Sequence, residues 1–143
     1  AERILPRSGP PERPVPGALD VGVPGFMDRL LATYHTDAAR ASVRAGLARA
    51  EAEAQRTHGR PFAALTADQQ IALMQVWDLE GVAYARTAAA DAPPHFFRLI
   101  REMTIVGFCT SEIGATQVLA YLPVPGAWQA DVPYASVGRV WAL

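Results

Sequence analysis

The amino-acid sequence predicts a small all-α domain, and three observations lead to that fold class. The chain has 143 residues, which suits a single compact core. Half of the residues are apolar and 19% are charged, and the Ala-rich stretches favour helix because alanine loses no side-chain entropy there. Apolar residues recur at helical spacing, and no stretch of useful length alternates as a strand does. We expect one domain with a helical core of four to five helices over residues 22–117, an extended Pro-rich arm over 1–21 and an irregular docking tail over 118–143.

Two helices are expected in the first half of the core. The first lies near residues 23–34, because its apolar positions follow the i, i+3, i+4 rhythm and Pro24 suits the first turn. The second begins at Thr36 or Asp37 and ends before Gly59. Its glycine costs about 1 kcal/mol relative to alanine unless a close packing contact uses the missing side chain. The predicted buried stripe of this helix comprises Val43, Gly46, Leu47, Ala50 and Ala54.

Two further helices complete the predicted core. Thr66 and Gln69 have capping-box spacing, so the third helix begins at Ala67. Its apolar residues exceed one stripe, so we expect it to be buried from two directions, either as the central helix or against a partner: Ile71, Leu73, Met74, Val76, Trp77 and Leu79. A fourth helix follows the Pro93-Pro94 pair, with the apolar face Phe96, Leu99, Ile100, Met103 and Gly107. After residues 110–112, which fit a short cap or turn, Gly114 is expected to act as a breaker.

The two ends of the chain are rich in proline yet carry apolar side chains. Five prolines predict an extended or polyproline-like arm, whose apolar content suggests that it lies against another surface. Pro and Gly also exclude a long helix in the tail, whose aromatic residues are costly to leave in water. The tail therefore docks on a partner or, alternatively, folds back over the third helix. The predicted partner-binding residues are Tyr121, Trp128, Tyr134, Arg139 and Trp141 in the tail, Ile4 and Leu5 in the arm, and Trp77 on the third helix.

The residue types needed for chemistry are sparse, so we predict no catalytic, cofactor-binding or metal-binding residue on this chain. The three histidines lie in separate segments, and no Gly-rich phosphate loop is present. Ser111 with Glu112 fits a cap better than a nucleophile, although a small hydrolase built on Ser111 is a third reading of the chain. Cys109 is the only cysteine, so we expect a buried small hydrophobe or, alternatively, an intermolecular disulfide. A net charge of −1 without a basic stripe argues against nucleic acid, and no apolar run approaches the roughly 20 residues of a membrane span.

Several stretches of the chain resemble the gluconate 2-dehydrogenase subunit 3 family, the small subunits of periplasmic flavoprotein dehydrogenases. Residues 1–6 (AERILP) and 16–23 (PGALDVGV) are similar to its amino-terminal signature. Residues 96–104 (FFRLIREMT) and 107–114 (GFCTSEIG) are similar to its central helix and the ending of that helix, and residues 121–128 continue the likeness. Cys109 departs from the pattern, because an aromatic residue is common there.

The resemblance implies a non-catalytic small subunit whose partner performs the chemistry. That partner would be a large dehydrogenase subunit of the glucose-methanol-choline type, which carries FAD and oxidises a sugar or polyol, with a cytochrome c as a candidate electron acceptor. The resemblance further implies a periplasmic location and twin-arginine export; because no Arg-Arg leader is present, we expect a chain from which it was removed. Residues 114–117, 131–133 and 138–141 look most like members that accompany glycoside 3-dehydrogenases. The alternative is a free-standing helical ligand-binding or adaptor domain with Trp77, Phe96 and Trp128 lining a pocket.

Overall fold

Helices account for most of the fold in the computed structural model, which describes residues 1–12, 14–121, 126 and 131–141. The α-helices are α1 (Val23–Thr33), α2 (Asp37–His58), α3 (Ala67–Thr87), α4 (Phe96–Cys109) and α5 (Tyr134–Val137). A 3-10 helix (Phe62–Ala64) joins α2 to α3, and a π-helical turn (Gly114–Val118) follows α4. Over those ranges the only β pairing is two isolated bridges, Ser8 with Val15 and Ala120 with Trp141. The all-α fold class is confirmed.

The ends of α2 and α3 lie where the capping residues predict them. The hydroxyl of Thr36 accepts a hydrogen bond from the Ala39 N–H at 3.2 Å, and α2 ends at Gly59, whose φ of 67° suits glycine. At α3, Thr66 Oγ1 accepts from the Gln69 N–H at 3.3 Å, and Gln69 Oε1 accepts from the Thr66 N–H at 3.0 Å. Both halves of the capping box are therefore formed.

Helix α4 is the centre of the domain. Helices α1, α2 and α3 each pack mainly against it, and it contributes side chains to all three clusters of buried apolar residues. Close helix approach depends on glycine: a Cβ at Gly46 would collide with the Phe96 ring, and one at Gly107 would collide with Phe26. The suggestion that α3 is central is therefore wrong, whereas the close packing contact required by Gly46 is confirmed.

Trp77 lies in the aromatic part of the core. Its side chain is 3% exposed and packs against Phe62, Phe96 and Phe97, with ring centroids 5.6–5.9 Å apart. Its Nε1–H donates to Glu53 at 2.9 Å, which satisfies the one polar atom of the indole. The assignment of Trp77 to an exposed interface is therefore corrected, because this side chain belongs to the core.

The buried stripe of α2 is narrower than the sequence suggests. Its buried residues, which are mostly small, are Ala39, Val43, Gly46, Ala50 and Ala54. Leu47 is 53% exposed, so its predicted burial is wrong. The physical reason is that Leu47 lies one residue past Gly46, about 100° around the helix from the line that faces α4.

Only one face of α3 is buried within the described residues. That face carries Gln70, Leu73, Trp77 and Gly81. Met74 is half-buried against the same cluster, whereas the exposed large apolar residues range from 39% exposure for Ile71 and Val82 to 71% for Leu79. The expected burial from two directions is thus wrong for the part of the chain that the structure describes, and the alternative that α3 faces a partner stays a prediction.

The arm folds as a series of turns and is not extended. The Ile4 and Leu5 amides donate to the Ala1 carbonyl, and Ser8 and Val15 exchange hydrogen bonds of 3.0 and 2.7 Å. Proline removes its own donor, but the amides between the prolines remain free to form these turns. Arg3 Nε donates to the buried Gln70 side chain at 2.8 Å, so the arm lies against the helices, as expected.

The chain after α4 continues as helix for longer than predicted. Ser111 Oγ donates to the Phe108 carbonyl and accepts from the Gly114 N–H at 3.0 Å, so its capping role is confirmed. Gly114 does not break the helix but begins the π turn, where a Cβ would collide with the Phe108 carbonyl oxygen. The described tail then returns to this turn, since the Ala120 N–H donates to Val140 O at 2.7 Å.

Candidate partner-binding surface

The tail presents three exposed aromatic side chains. Tyr121, Tyr134 and Trp141 are all classed among the exposed large apolar residues, and the Tyr134 hydroxyl makes a 3.3 Å hydrogen bond to the Gly138 carbonyl. Trp128, the fourth predicted aromatic contact, lies outside the described residues. The structure therefore leaves these three aromatic groups available for the predicted interface.

Arg139 has an intramolecular role. Its Nη1 donates to the carbonyls of Thr116 at 3.2 Å and Gln117 at 3.0 Å, in the π turn. Among the described residues these carbonyls accept no helical hydrogen bond from further along the chain, so the guanidinium caps the turn and suits its negative end. Arg139 thus orders the tail, and any contact with a partner would use the rest of its half-buried side chain.

The two apolar residues of the arm have different positions. Leu5 packs in a cluster with Ala18, Val23 and Phe108, so it holds the arm against α4. Ile4 is half-buried and lines grooves on both sides of the arm. Of the two, Ile4 is the better placed to touch a partner.

The larger groove has a volume of about 670 Å³ and lies between the arm, α2, α3 and α4. Its apolar lining includes Leu47, Met74, Trp77, Phe96 and Phe97. The smaller groove, of about 500 Å³, lies between Ile4 and the α3 residues Ile71 and Leu79. Trp77 and Phe96 thus line a common cavity, as the ligand-binding alternative predicts for these two residues.

The predicted partner-binding residues do not include the exposed face of α3. We call this surface the α3 outer face and define it by its exposed side chains: Ile71, Ala72, Gln75, Val76, Leu79, Val82, Ala83. The signal was present in the sequence, because apolar residues lie on more than one side of α3. The sequence prediction names Trp77 alone on this helix, and a large indole side chain is highly buried on average.

His95 is a half-buried histidine directly before α4. Its Nδ1 is buried without a hydrogen-bond partner among the described residues, and its Nε2 is 4.0 Å from the Glu80 carboxylate. Burial lowers the pKa of His95 below its ordinary value of 6.5, and the Glu80 charge only partly opposes that effect. The imidazole also packs against Tyr84 and Phe96, which favours a structural role at the start of α4.

Other potential reactive groups are isolated in the described part of the chain. There, no three His, Cys, Asp or Glu side chains come close enough together to hold a metal ion. The Ser111 hydroxyl is engaged with backbone in both directions, and Cys109 is half-buried beside the Val23 cluster. Among the same residues, no helix combines the length and apolarity of a membrane span.

Comparison with known proteins gives one match. The family model described as gluconate 2-dehydrogenase subunit 3 matches residues 1–126 of the chain. Neither the curated proteins nor the solved structures that were compared with the chain gave a match.

Proposed function

Because the chain belongs to the gluconate 2-dehydrogenase subunit 3 family, and so to the subunits of dehydrogenase complexes, we propose that it is a non-catalytic accessory subunit. In this proposal the chain binds and stabilises a larger dehydrogenase subunit and escorts it during export. The large subunit binds FAD, which accepts the electrons of the substrate, and no step of the reaction uses a residue of the small chain.

The observation that carries this proposal is the exposure of aromatic side chains on an ordered tail. Tyr121, Tyr134 and Trp141 are held near the π turn by the Ala120–Val140 and Arg139 hydrogen bonds, yet their rings remain exposed. Exposed aromatic side chains on an ordered segment are typical of interaction sites, and Trp and Tyr supply much of the binding energy of protein interfaces. The tail and Ile4 are the partner contacts that we propose.

Substrate and location are finer parts of the same proposal. We propose that the partner is of the glucose-methanol-choline type, that it oxidises a sugar or glycoside, with glycoside 3-dehydrogenase favoured, and that a cytochrome c takes up the electrons. We place the complex in the periplasm, reached through the twin-arginine route. These assignments rest on the similarity of the sequence motifs to the family.

The direct test is co-purification from the native host. A tagged copy of the chain should recover a flavoprotein dehydrogenase in stoichiometric amount, identified by mass spectrometry and flavin absorbance. Free of that partner, the chain should bind no flavin and oxidise no sugar. Recovery of the chain alone, or flavin bound to the isolated chain, would contradict the proposal.

A second candidate function, a free-standing ligand-binding domain, is favoured by the 670 Å³ groove. Its apolar lining and size suit a small hydrophobic ligand. This function requires saturable one-to-one binding of an apolar fluorescent probe by the isolated chain, weakened by Leu47→Glu at the groove edge. The accessory-subunit proposal instead predicts weak, unsaturable binding that Leu47→Glu leaves unchanged.

A further inference from the structure

The α3 outer face is the apolar side of a helix whose other side is already packed. The buried residues Gln70, Leu73, Trp77 and Gly81 occupy about 80° of the helix circumference, and the α3 outer face lies on the opposite side at 100° per residue. Its largest side chains are Ile71, Val76, Leu79 and Val82, all exposed. An amphipathic helix exposes polar residues there, so this face is suited to burial against another molecule.

Unpaired formal charges lie at the two ends of the α3 outer face, whereas Asp78 at its edge is paired with Arg101. Asp68 lies in the first turn of α3 and Arg86 in the last. Their separation of 18 positions equals five helical turns, so the two charges lie on one side of α3, about 27 Å apart. Neither forms an ion pair with another of the described residues. The face is thus an apolar strip with an acid at one end and a base at the other.

The described tail does not cover this strip. Residues 139–141 are tied to the π turn beyond α4, and Leu79 is 71% exposed with those residues in place. The alternative in which the tail folds back over α3 therefore does not hold for the described tail residues.

A second copy of the chain fits the α3 outer face poorly. Pairing Asp68 with Arg86 of an antiparallel copy places each Gln75 amide opposite Leu79, and burying an amide without a partner is unfavourable. The strip is also small: a helix of 21 residues is about 31 Å long, so a strip about 10 Å wide offers roughly 300 Å² per copy. Two such strips give about 600 Å², which is less than the roughly 1,000 Å² of a specific interface.

A larger chain can contact the α3 outer face and the groove beside it together. The 500 Å³ groove begins at Ile71 and Leu79, and Ile4 of the arm forms its other wall. A helix lying along α3 could place anchoring side chains in this groove, which is the arrangement of helix-in-groove recognition. The arm and the α3 outer face would then belong to one continuous contact surface.

We propose that the α3 outer face docks an amphipathic helix of the dehydrogenase subunit, antiparallel to α3, a proposal that rests on the proposed function. The antiparallel direction brings the amino-terminal end of the partner helix to Arg86 and its carboxyl-terminal end to Asp68. The dipole of the partner helix favours acidic residues at its amino-terminal end and basic residues at its carboxyl-terminal end. In this direction the acidic residues face Arg86 and the basic residues face Asp68. A polar side chain of the partner opposite Gln75 completes the match.

The test compares variants of the tagged full-length chain, each recovered with its dehydrogenase partner from the native host. Leu79→Glu places a charge at the middle of the α3 outer face and should lower the recovered dehydrogenase at least tenfold. Tyr34→Glu, at a similarly exposed site directly after α1, is the matched control and should leave recovery unchanged. Thermal melting of each free chain should be unaltered, because both side chains are exposed. Arg86→Glu should weaken the complex, and the double swap Asp68→Arg with Arg86→Asp should not restore it.

Each contrary result has a distinct meaning. If the unmodified chain recovers no dehydrogenase, the proposed function fails. If it does, and both Leu79→Glu and the milder Leu79→Gln recover as much as Tyr34→Glu, the partner binds elsewhere and the α3 assignment is overturned. If light scattering shows that the free chain is a dimer, that Leu79→Glu makes it monomeric and that the double swap restores the dimer, a second copy covers the face and the assignment is overturned as well.

Discussion

Replacing Gly46 with alanine tests whether α2 packs against α4 as closely as the structure indicates. In an isolated helix this change is favourable by about 0.5–1 kcal/mol, because glycine loses more backbone entropy than alanine. Here the new Cβ would overlap the Phe96 ring, far inside the usual carbon contact distance of about 3.5–4.0 Å. Phe96 has little room to move, because Trp77, Phe97 and His95 surround its ring.

The expected net effect is destabilisation. Overpacking a filled core costs about 1–3 kcal/mol, and a collision this close belongs at the upper end. After subtraction of the gain in helix propensity, Gly46→Ala should lower the free energy of unfolding by about 2 kcal/mol. For a chain of this size that corresponds to a fall in melting temperature of about 4–8 °C.

The assay is thermal unfolding followed by circular dichroism, with Gly25→Ala as the matched control. Gly25 is also helical, but a Cβ there would lie 3.7 Å from Arg29 Nη1, which is ordinary contact. Gly25→Ala should therefore leave stability unchanged or raise it. A Gly46→Ala chain that melts at or above the unmodified temperature would refute the close packing of α2 against Phe96.

Three further changes address the cap, the buried imidazole and the tail. Thr66→Ala removes half of the capping box and should lower stability by about 0.5–2 kcal/mol; an unchanged melt would mean that α3 does not depend on this cap. Burial lowers the pKa of His95 in the folded chain, so its neutral form contributes full stability above about pH 6.5, and that stability falls as the pH drops toward the folded pKa. Melting temperatures between about pH 7.5 and pH 5 should therefore decline less for His95→Gln, and equal declines would contradict this role. Arg139→Ala should cost about 1–2 kcal/mol and speed proteolysis of the tail; an unchanged cleavage rate would argue against the π-turn contacts.

The helix boundaries could be predicted from the sequence because they depend on local interactions. Thr36, Thr66 and Gly59 act on amides or carbonyls a few residues away, so spacing alone identifies them. The sequence predicts a close packing contact at Gly46, because such a contact would offset the free energy that a glycine costs inside a helix. Its partner, Phe96, is 50 residues away, and only the folded chain identifies it.

Periodicity gave less information about which apolar residues are buried. Both Leu47 on α2 and Trp77 on α3 fit an apolar helical pattern, yet only Trp77 is buried. On α2 the side that faces α4 passes through Gly46, so Leu47 lies outside the buried stripe. On α3 the apolar residues extend around the helix, and the sequence does not show that α4 covers only the side of Leu73 and Trp77. The α3 outer face was therefore missed as a candidate site.

Segments rich in proline and glycine were the hardest to predict. The prolines of the arm indicated extended backbone, yet hydrogen bonds from Ser8, Val15 and Ala18 fold it into turns. These bonds join residues up to 13 positions apart in the sequence, beyond the range of turn propensities. A glycine at position 114 predicts a helix break, whereas its missing side chain makes room for the Phe108 carbonyl in a tight helical turn.

The central position of α4 has a consequence for the order in which parts of the domain open. Helix α4 supplies side chains to all three core clusters, whereas α3 shares only the cluster around Trp77. Detaching α3 would open one cluster and leave α1 and α2 packed on α4. The amide hydrogens of α3 should therefore exchange with solvent through an opening of lower free energy than the amide hydrogens of α4. A bound chain on α3 would oppose that opening, and the more strongly the higher its concentration and affinity. The lifetime of the small subunit in the cell would then depend on the amount of its partner.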